Sequence, residues 1–183
     1  MKLAIAVLDA NVLYPAPLRD FLLNLAEQNC YNPKWTNEIH QEWIKNLLLN
    51  RKDLKLKQLT RTVNLMNGAF PFSEVINFTS IIPKLELPDQ NDRHILAAGI
   101  KSKADYIVTN NLKDFPNSYL KQFDIQSISP DNFVMKLFNE NSRKVNEALE
   151  NQLNSLKNPP MTKSQLKIKL MKNGLTKTMK IIE

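Results

Sequence analysis

Four carboxylates are placed where chemistry could collect. Asp9 closes the apolar run Lys2–Leu8 and opens Asp9-Ala10-Asn11, Glu42 lies close to the apolar face of a helical repeat, Asp92 stands at the entrance of a small-residue helix, and Asp114 follows a second apolar run, Ala104–Val108. Each has an ordinary structural use by itself, as a cap, a turn or a solvated helix residue. Four such acids, each beside an apolar element and three at element ends, are harder to account for as separate caps. Clustered like charges raise one another's pKa unless a cation neutralises them. Oxygen donors without His or Cys select a hard ion, Mg²⁺ or Mn²⁺. Such a site can activate a water and stabilise the charge that builds on phosphorus during phosphodiester hydrolysis. Two neighbours compete for the inward positions: Asp89 lies three residues before Asp92, and Glu38 one helical turn before Glu42 on the same face.

The elements that must position these groups alternate in type. Lys2–Leu8 reads as a fully buried parallel strand, whose C-terminal end is where ligands gather in open α/β sheets. Tyr14-Pro15-Ala16-Pro17 turns into a helix carrying Leu18, Phe21, Leu22, Leu25 and Ala26, as far as about Gln28. Tyr31–Trp35 is a short extended piece made edge-like by Pro33. Thr36 caps a helix to about Asn50 with Ile39, Trp43, Leu47 and Leu48 inward, and a further helix is expected over Asp53–Asn67 with Leu56, Leu59, Val63 and Met66 on its apolar side. Residues 72–88 read as short strands or a packed loop. A helix after Pro88-Asp89, a strand at Ala104–Val108, a short helix near Ser118–Phe123, a strand at Asp124–Ile128 and a helix from Ser129 to about Asn139 complete a β-α-β-α alternation, which argues for a parallel sheet covered by helices.

Composition shifts after Asn141. Residues 141–183 carry nine Lys or Arg against three Glu, a net of +6 out of the chain's +7, so the remainder is nearly neutral. Val145, Leu149, Leu153 and Leu156 mark one helix, Asn158-Pro159-Pro160 breaks it, and Thr162 caps another that Gly174 ends. A basic segment on a neutral body suits a polyanion or an acidic protein partner, although a merely solubilising face explains it as well. The single cysteine, Cys30, excludes an internal disulfide and fits a cytoplasmic protein. The first apolar run ends at Asp9, too early for a signal peptide or a membrane span, and no membrane partner is expected.

Four stretches together resemble the PIN-domain ribonucleases, in particular their VapC-like toxin branch: Leu8-Asp9-Ala10-Asn11-Val12-Leu13; Trp35-Thr36 leading to Glu42-Trp43; Leu87-Pro88-Asp89-Gln90-Asn91-Asp92-Arg93-His94-Ile95-Leu96-Ala97-Ala98; and Val108-Thr109-Asn110-Asn111-Leu112-Lys113-Asp114-Phe115-Pro116. The resemblance spans most of residues 1–140. It implies an α/β/α sandwich around a central parallel sheet (1–140) with a small basic helical extension (141–183), and a Mg²⁺- or Mn²⁺-dependent endoribonuclease acting as the toxin of a type II toxin–antitoxin pair. Asp9, Glu42, Asp92 and Asp114 match the family's acidic quartet, and Asn11, Thr109 and Asn111 match positions that orient ligands or water. The matching runs favour Asp92 over Asp89 and Glu42 over Glu38. Arg93 is a candidate for an RNA phosphate, and His94 is expected to be structural or substrate-facing rather than a ligand. The resemblance further implies an RNA substrate, a cognate antitoxin and a homodimer. The competing reading from another class is a catalytically inactive PIN-fold module that binds RNA or protein.

Overall fold

The computed structural model describes residues 2–182; Met1 and Glu183, the latter one of the three acids of the extension, lie outside them. Four short strands, β1 (Ile5–Leu8), β2 (Asn32–Lys34), β3 (Tyr106–Val108) and β4 (Gln126–Ile128), form one parallel sheet in the order β2-β1-β3-β4. Ala6, Val7 and Leu8 are wholly buried, because β1 is an inner strand of a sheet covered on both faces. Pro33 lies on β2, an edge strand, where a missing N–H is tolerated. Leu8 stands opposite Val108, so β1 and β3 end level, and the Asp9 N–H extends the ladder to the Val108 carbonyl at 3.1 Å. The chain leaves β1 for β2 on one side and returns through β3 on the other. The gap between the ends of β1 and β3 is therefore the switch point of the sheet, and right-handed crossovers place helices on both faces.

The helices are α1 (Ala10–Leu13), α2 (Ala16–Glu27), α3 (Asn37–Asn50), α4 (Leu56–Ala69), α5 (Arg93–Ser102), α6 (Asn117–Leu120), α7 (Pro130–Glu140), α8 (Ser142–Ser155), α9 (Lys163–Lys172) and α10 (Thr178–Ile181). Thr36 caps α3 as expected, its hydroxyl accepting the Ile39 N–H at 3.1 Å. Ala97, Ala98 and Gly99 bury the face of α5 against β1 and β3. A Cβ on Gly99 would stand 3.2 Å from Ile125 Cδ1, so this helix approaches the sheet as closely as its small residues allow.

Two expectations are revised, and the open reading of residues 72–88 resolves away from strands. The helix expected from Asp53 begins at Leu56, because Arg51 turns back to hold the Asp53 carboxylate (2.8 and 2.6 Å) and Gln58 Oε1 accepts the Lys55 N–H at 2.9 Å, which closes the turn before the helix starts. Leu56 is 57% exposed rather than inward. Residues 72–88 form no named strand; one parallel bridge joins Glu74 to Trp35, and Thr79–Lys84 is a 3-10 helix.

The C-terminal extension is packed onto the body of the protein rather than hung from it. Val145, Ala148 and Leu149 of α8, Leu166 and Leu170 of α9, and Leu175, Met179 and Ile182 beyond it join the same hydrophobic core as the sheet. Helix α8 lies along α2 and α7, and α10 returns to α7. That return hinges on Asp131, whose buried carboxylate accepts the backbone N–H groups of Lys177 (2.8 Å) and Thr178 (2.9 Å) and the hydroxyls of Thr178 (2.6 Å) and Thr176 (3.3 Å). Burial alone would raise the Asp131 pKa, but those four donors outweigh it and hold the carboxyl below its ordinary value. Asp131→Ala should therefore destabilise the protein by about 2–4 kcal/mol in chemical denaturation, since buried hydrogen bonds to a charge are among the costly ones to lose. The carboxyl is depressed, so its contribution is full above the unfolded pKa and lost as pH falls through the folded one. The stability gap between wild type and variant should therefore begin to narrow as pH falls below about 4.

Candidate active site

Asp9 is the deepest of the carboxylates, 4% exposed at the end of β1. It stands at the N-cap position of α1, yet its side chain makes no capping bond. Instead Oδ2 accepts from the Thr109 hydroxyl at 2.6 Å and from Asn11 Nδ2 at 2.5 Å. Asn11 Nδ2 also reaches Thr109 Oγ1 at 3.0 Å, Asn11 Oδ1 accepts the Asn110 N–H at 3.0 Å, and Thr109 Oγ1 accepts the Asn111 N–H at 2.9 Å. Asn111 Nδ2 in turn donates to Asp114 Oδ2. One continuous network thus ties the loop after β1 to the loop after β3 and runs from Asp9 to Asp114. Its outcome for Asp9 is a contest: burial pushes the carboxyl up, and the hydrogen bonds led by those from Thr109 and Asn11 pull it down, with burial prevailing.

The other acids converge on this network from different elements. Asp92, at the start of α5, has its pKa pushed up to about 7, first by burial and then by the charges of Asp9, Asp89, Asp114 and Glu42. Glu42, on α3, is raised by burial and then by Asp9 and Asp89. Asp9, Glu42, Asp92 and Asp114 therefore share one electrostatic field. Asp89 shares it too: its Oδ1 accepts the Asn91 N–H at 2.8 Å, capping the 3-10 turn before α5, while its charge acts on both Glu42 and Asp92. Asp89, which the sequence sets against Asp92 as the inward acid, thus acts on Asp92 rather than standing apart from it.

Glu38 acts on His94, where its charge opposes the effect of burial. His94 Nε2 lies 3.9 Å from Glu42 Oε2, but burial lowers the ring's pKa and favours the neutral imidazole. Arg93 Nε donates to the Gln90 carbonyl at 2.9 Å, closing the turn at the head of α5. Two participants escape the sequence reading. Asn110 enters through its backbone N–H, which no side-chain pattern announces. Gly174, read only as a helix stop, has a φ of +101° and lies with its would-be Cβ 3.8 Å from Asn110 Oδ1, so the extension reaches the rim of the site.

Among the described residues no three His, Cys, Asp or Glu side chains are gathered into a group that could hold a metal as they stand. The carboxylates share a field without sharing a coordination shell. The donor set is nevertheless oxygen only, partly desolvated and mutually repelling, which suits a hard divalent cation.

Comparison with known proteins places the chain. The PIN domain family model matches residues 6–113, more than half of the sequence, and the chain belongs to that family. Residues 130–183 match a second family model, the VapC50 C-terminal domain, whose stretch begins at α7. A Mycobacterium tuberculosis protein described as "Putative ribonuclease VapC50" is 33% identical over 75 residues, which cover 41% of this chain and 44% of that relative, less than half its length. No solved structure matches.

Repulsion within the cluster makes a direct prediction. Asp92→Asn removes a charge held against several like charges, and should raise the thermal midpoint of the metal-free protein by about 2–4 °C at pH 8. Saturating Mn²⁺ should narrow that gap by stabilising the wild type more than the variant.

Proposed function

We propose that this chain is a Mg²⁺- or Mn²⁺-dependent endoribonuclease of the VapC-like kind, the toxin of a type II toxin–antitoxin pair. The observation that carries the reading is the field at Asp92: a carboxyl pushed up to about 7 by burial and then by the charges of four other acids, beside the switch point of a parallel sheet, is poised to be relieved by a cation. The PIN family membership supports it, and so does the relative described as a ribonuclease.

In this reading Asp9, Glu42, Asp92 and Asp114 hold the metal. When bound, the ion supplies activation of water and neutralisation of the charge that develops on the phosphate. The chain's own contribution is positioning. Thr109 and Asn11 fix the Asp9 carboxylate in one orientation, and Asn111 does the same for Asp114. Asp89 lies in the same field and tunes it, and any carboxylate left unligated can take the proton from an incoming water. We divide the chain functionally into a nuclease unit, 1–140, and the extension, 141–183. RNA is the proposed substrate, a cognate antitoxin the proposed inhibitor, a homodimer the proposed state and the cytoplasm the proposed location. No helix among the described residues is long and apolar enough to cross a membrane.

A binding module of the same fold has no need of a mutually repelling cluster, and the test separates the two. Purified protein and its Asp9→Asn and Asp92→Asn variants are incubated with structured RNA in Mg²⁺, Mn²⁺ or EDTA. Cleavage should require metal and fall at least about 100-fold in both variants, the loss expected when a ligand to an essential ion is removed. Equal cleavage by wild type and variants would defeat the site assignment.

A further inference from the structure

A cavity outside the carboxylate cluster is left unused by the proposed nuclease reading. Between the α1–α2 turn, the α3–α4 connection and the α9–α10 turn is a cavity of about 560 Å³, lined by Tyr14, Arg19, Arg51, Gln58, Thr62 and Asn173 among others, a size ordinary for a small-ligand site. Its unusual member is Arg19. The side chain is buried, the residue being only 7% exposed, with its guanidinium 5.0 Å above the Trp43 ring. A guanidinium has five N–H donors. Arg19 spends one on the Leu13 carbonyl (Nη1, 3.0 Å), while Nε is buried with no hydrogen-bond acceptor and meets Asp20 Oδ1 only at 3.6 Å, an ion pair whose acid is half in solvent. A buried cation with unspent donors is costly unless something anionic completes it.

Much of the rest of the lining is apolar (Pro15, Ala16, Pro17, Leu47, Leu54 and Leu59), and its polar members include no carboxylate. Gln58 uses Oε1 on the Lys55 N–H, leaving its NH₂, and the Tyr14 hydroxyl accepts from Asn50 Nδ2 at 3.3 Å, leaving its own proton. Arg51 is already held by Asp53, which does not line the cavity. Asn173 commits its amide nitrogen to the Lys169 carbonyl and brings the C-terminal extension into the wall; its neighbour Gly174 abuts Asn110 of the carboxylate network. Tyr14 follows Asp9 by five residues through α1, a separation on the order of 7–8 Å along the helix. That is within reach of a strand whose reacting phosphate sits at Asp9.

We infer that this cavity binds a phosphodiester group of the RNA strand next to the one being cleaved, with Arg19 as its buried anion ligand and the C-terminal extension, through Asn173, as part of its wall. The inference rests on the nuclease reading for its substrate, but its test does not need turnover. Binding of a fluorescein-labelled single-stranded RNA is followed by anisotropy in the Asp92→Asn protein with Mg²⁺ present. Gln58→Glu places a negative charge in the cavity and still accepts the Lys55 N–H, so it should weaken RNA binding about tenfold with an unchanged thermal midpoint. Arg19→Lys keeps the charge but loses the planar fork, and should weaken binding by a similar factor. Gln122→Glu, the same charge change at a residue that does not line the cavity, should alter affinity by less than about twofold, as a distant surface charge is screened by salt. Unchanged affinity in Gln58→Glu would overturn the inference, as would equal losses in Gln58→Glu and Gln122→Glu. Inorganic phosphate that occupies the cavity in an Arg19-dependent way without competing with RNA would also overturn it, by marking a free-anion site. Loss of RNA affinity in the cavity variants of a protein that never cuts RNA would sink the nuclease reading and leave the cavity assignment standing.

Discussion

The molecule is built around an electrostatic conflict. Asp9 is carried into the interior by a strand that is apolar on both faces; its charge acts on Glu42 of α3 and on Asp92 at the start of α5, and Asp92 also feels Asp89 from the same turn and Asp114 from the loop after β3. In a protein with no task for them such charges would be spread over the surface, where repulsion is screened and hydration is free. Holding them together requires a scaffold stiff enough to resist, and the parallel sheet with α5 packed closely against β1 and β3 provides one. The polar network from Asp9 through Asn11 and Thr109 to Asn111 and Asp114 does more than lower the cost of burial. It couples the loops at the two strand ends, so neither acid can relax away from the cluster independently.

Much of this was legible in the sequence because it depends on local pattern. A run of six apolar residues ending in Asp can be little other than a buried strand delivering a carboxylate to the sheet's edge. The small residues of α5 announce close packing, and Thr36 announces a cap. What escaped depends on contacts between distant segments. The start of α4 is set by an ion pair, Arg51 with Asp53, that propensity does not price. The basic surplus after Asn141 suggests an appendage, yet the apolar faces of its helices complete the core, and Asp131, an ordinary-looking acid in the first turn of α7, proves to be the anchor of the chain's last turns. Buried cations such as Arg19 are invisible to composition, since a lone Arg in an amphipathic helix is expected to face water.

The extension therefore has two roles in one arrangement. It buries apolar residues that finish the side of the protein carrying α2 and α7, and its α9–α10 turn stands against the loop after β3. The family model that covers it begins at residue 130, at α7, and so includes Asp131 with the segment that Asp131 holds. Structural closure and the rim of the site are thus fixed by the same few hydrogen bonds, and a change that loosens the C-terminal turns acts on both.

The central proposal is that Asp9 at the end of β1, with Glu42, Asp92 and Asp114, forms a seat for one hard cation. A crystal structure of the protein grown with Mn²⁺, with anomalous differences collected at the manganese edge, tests it most directly. The account predicts a single strong peak within coordination distance (about 2.0–2.3 Å) of carboxylate oxygens that include Asp9 and Asp92. Manganese bound elsewhere, with Asp9 still held only by Thr109 and Asn11, would contradict it.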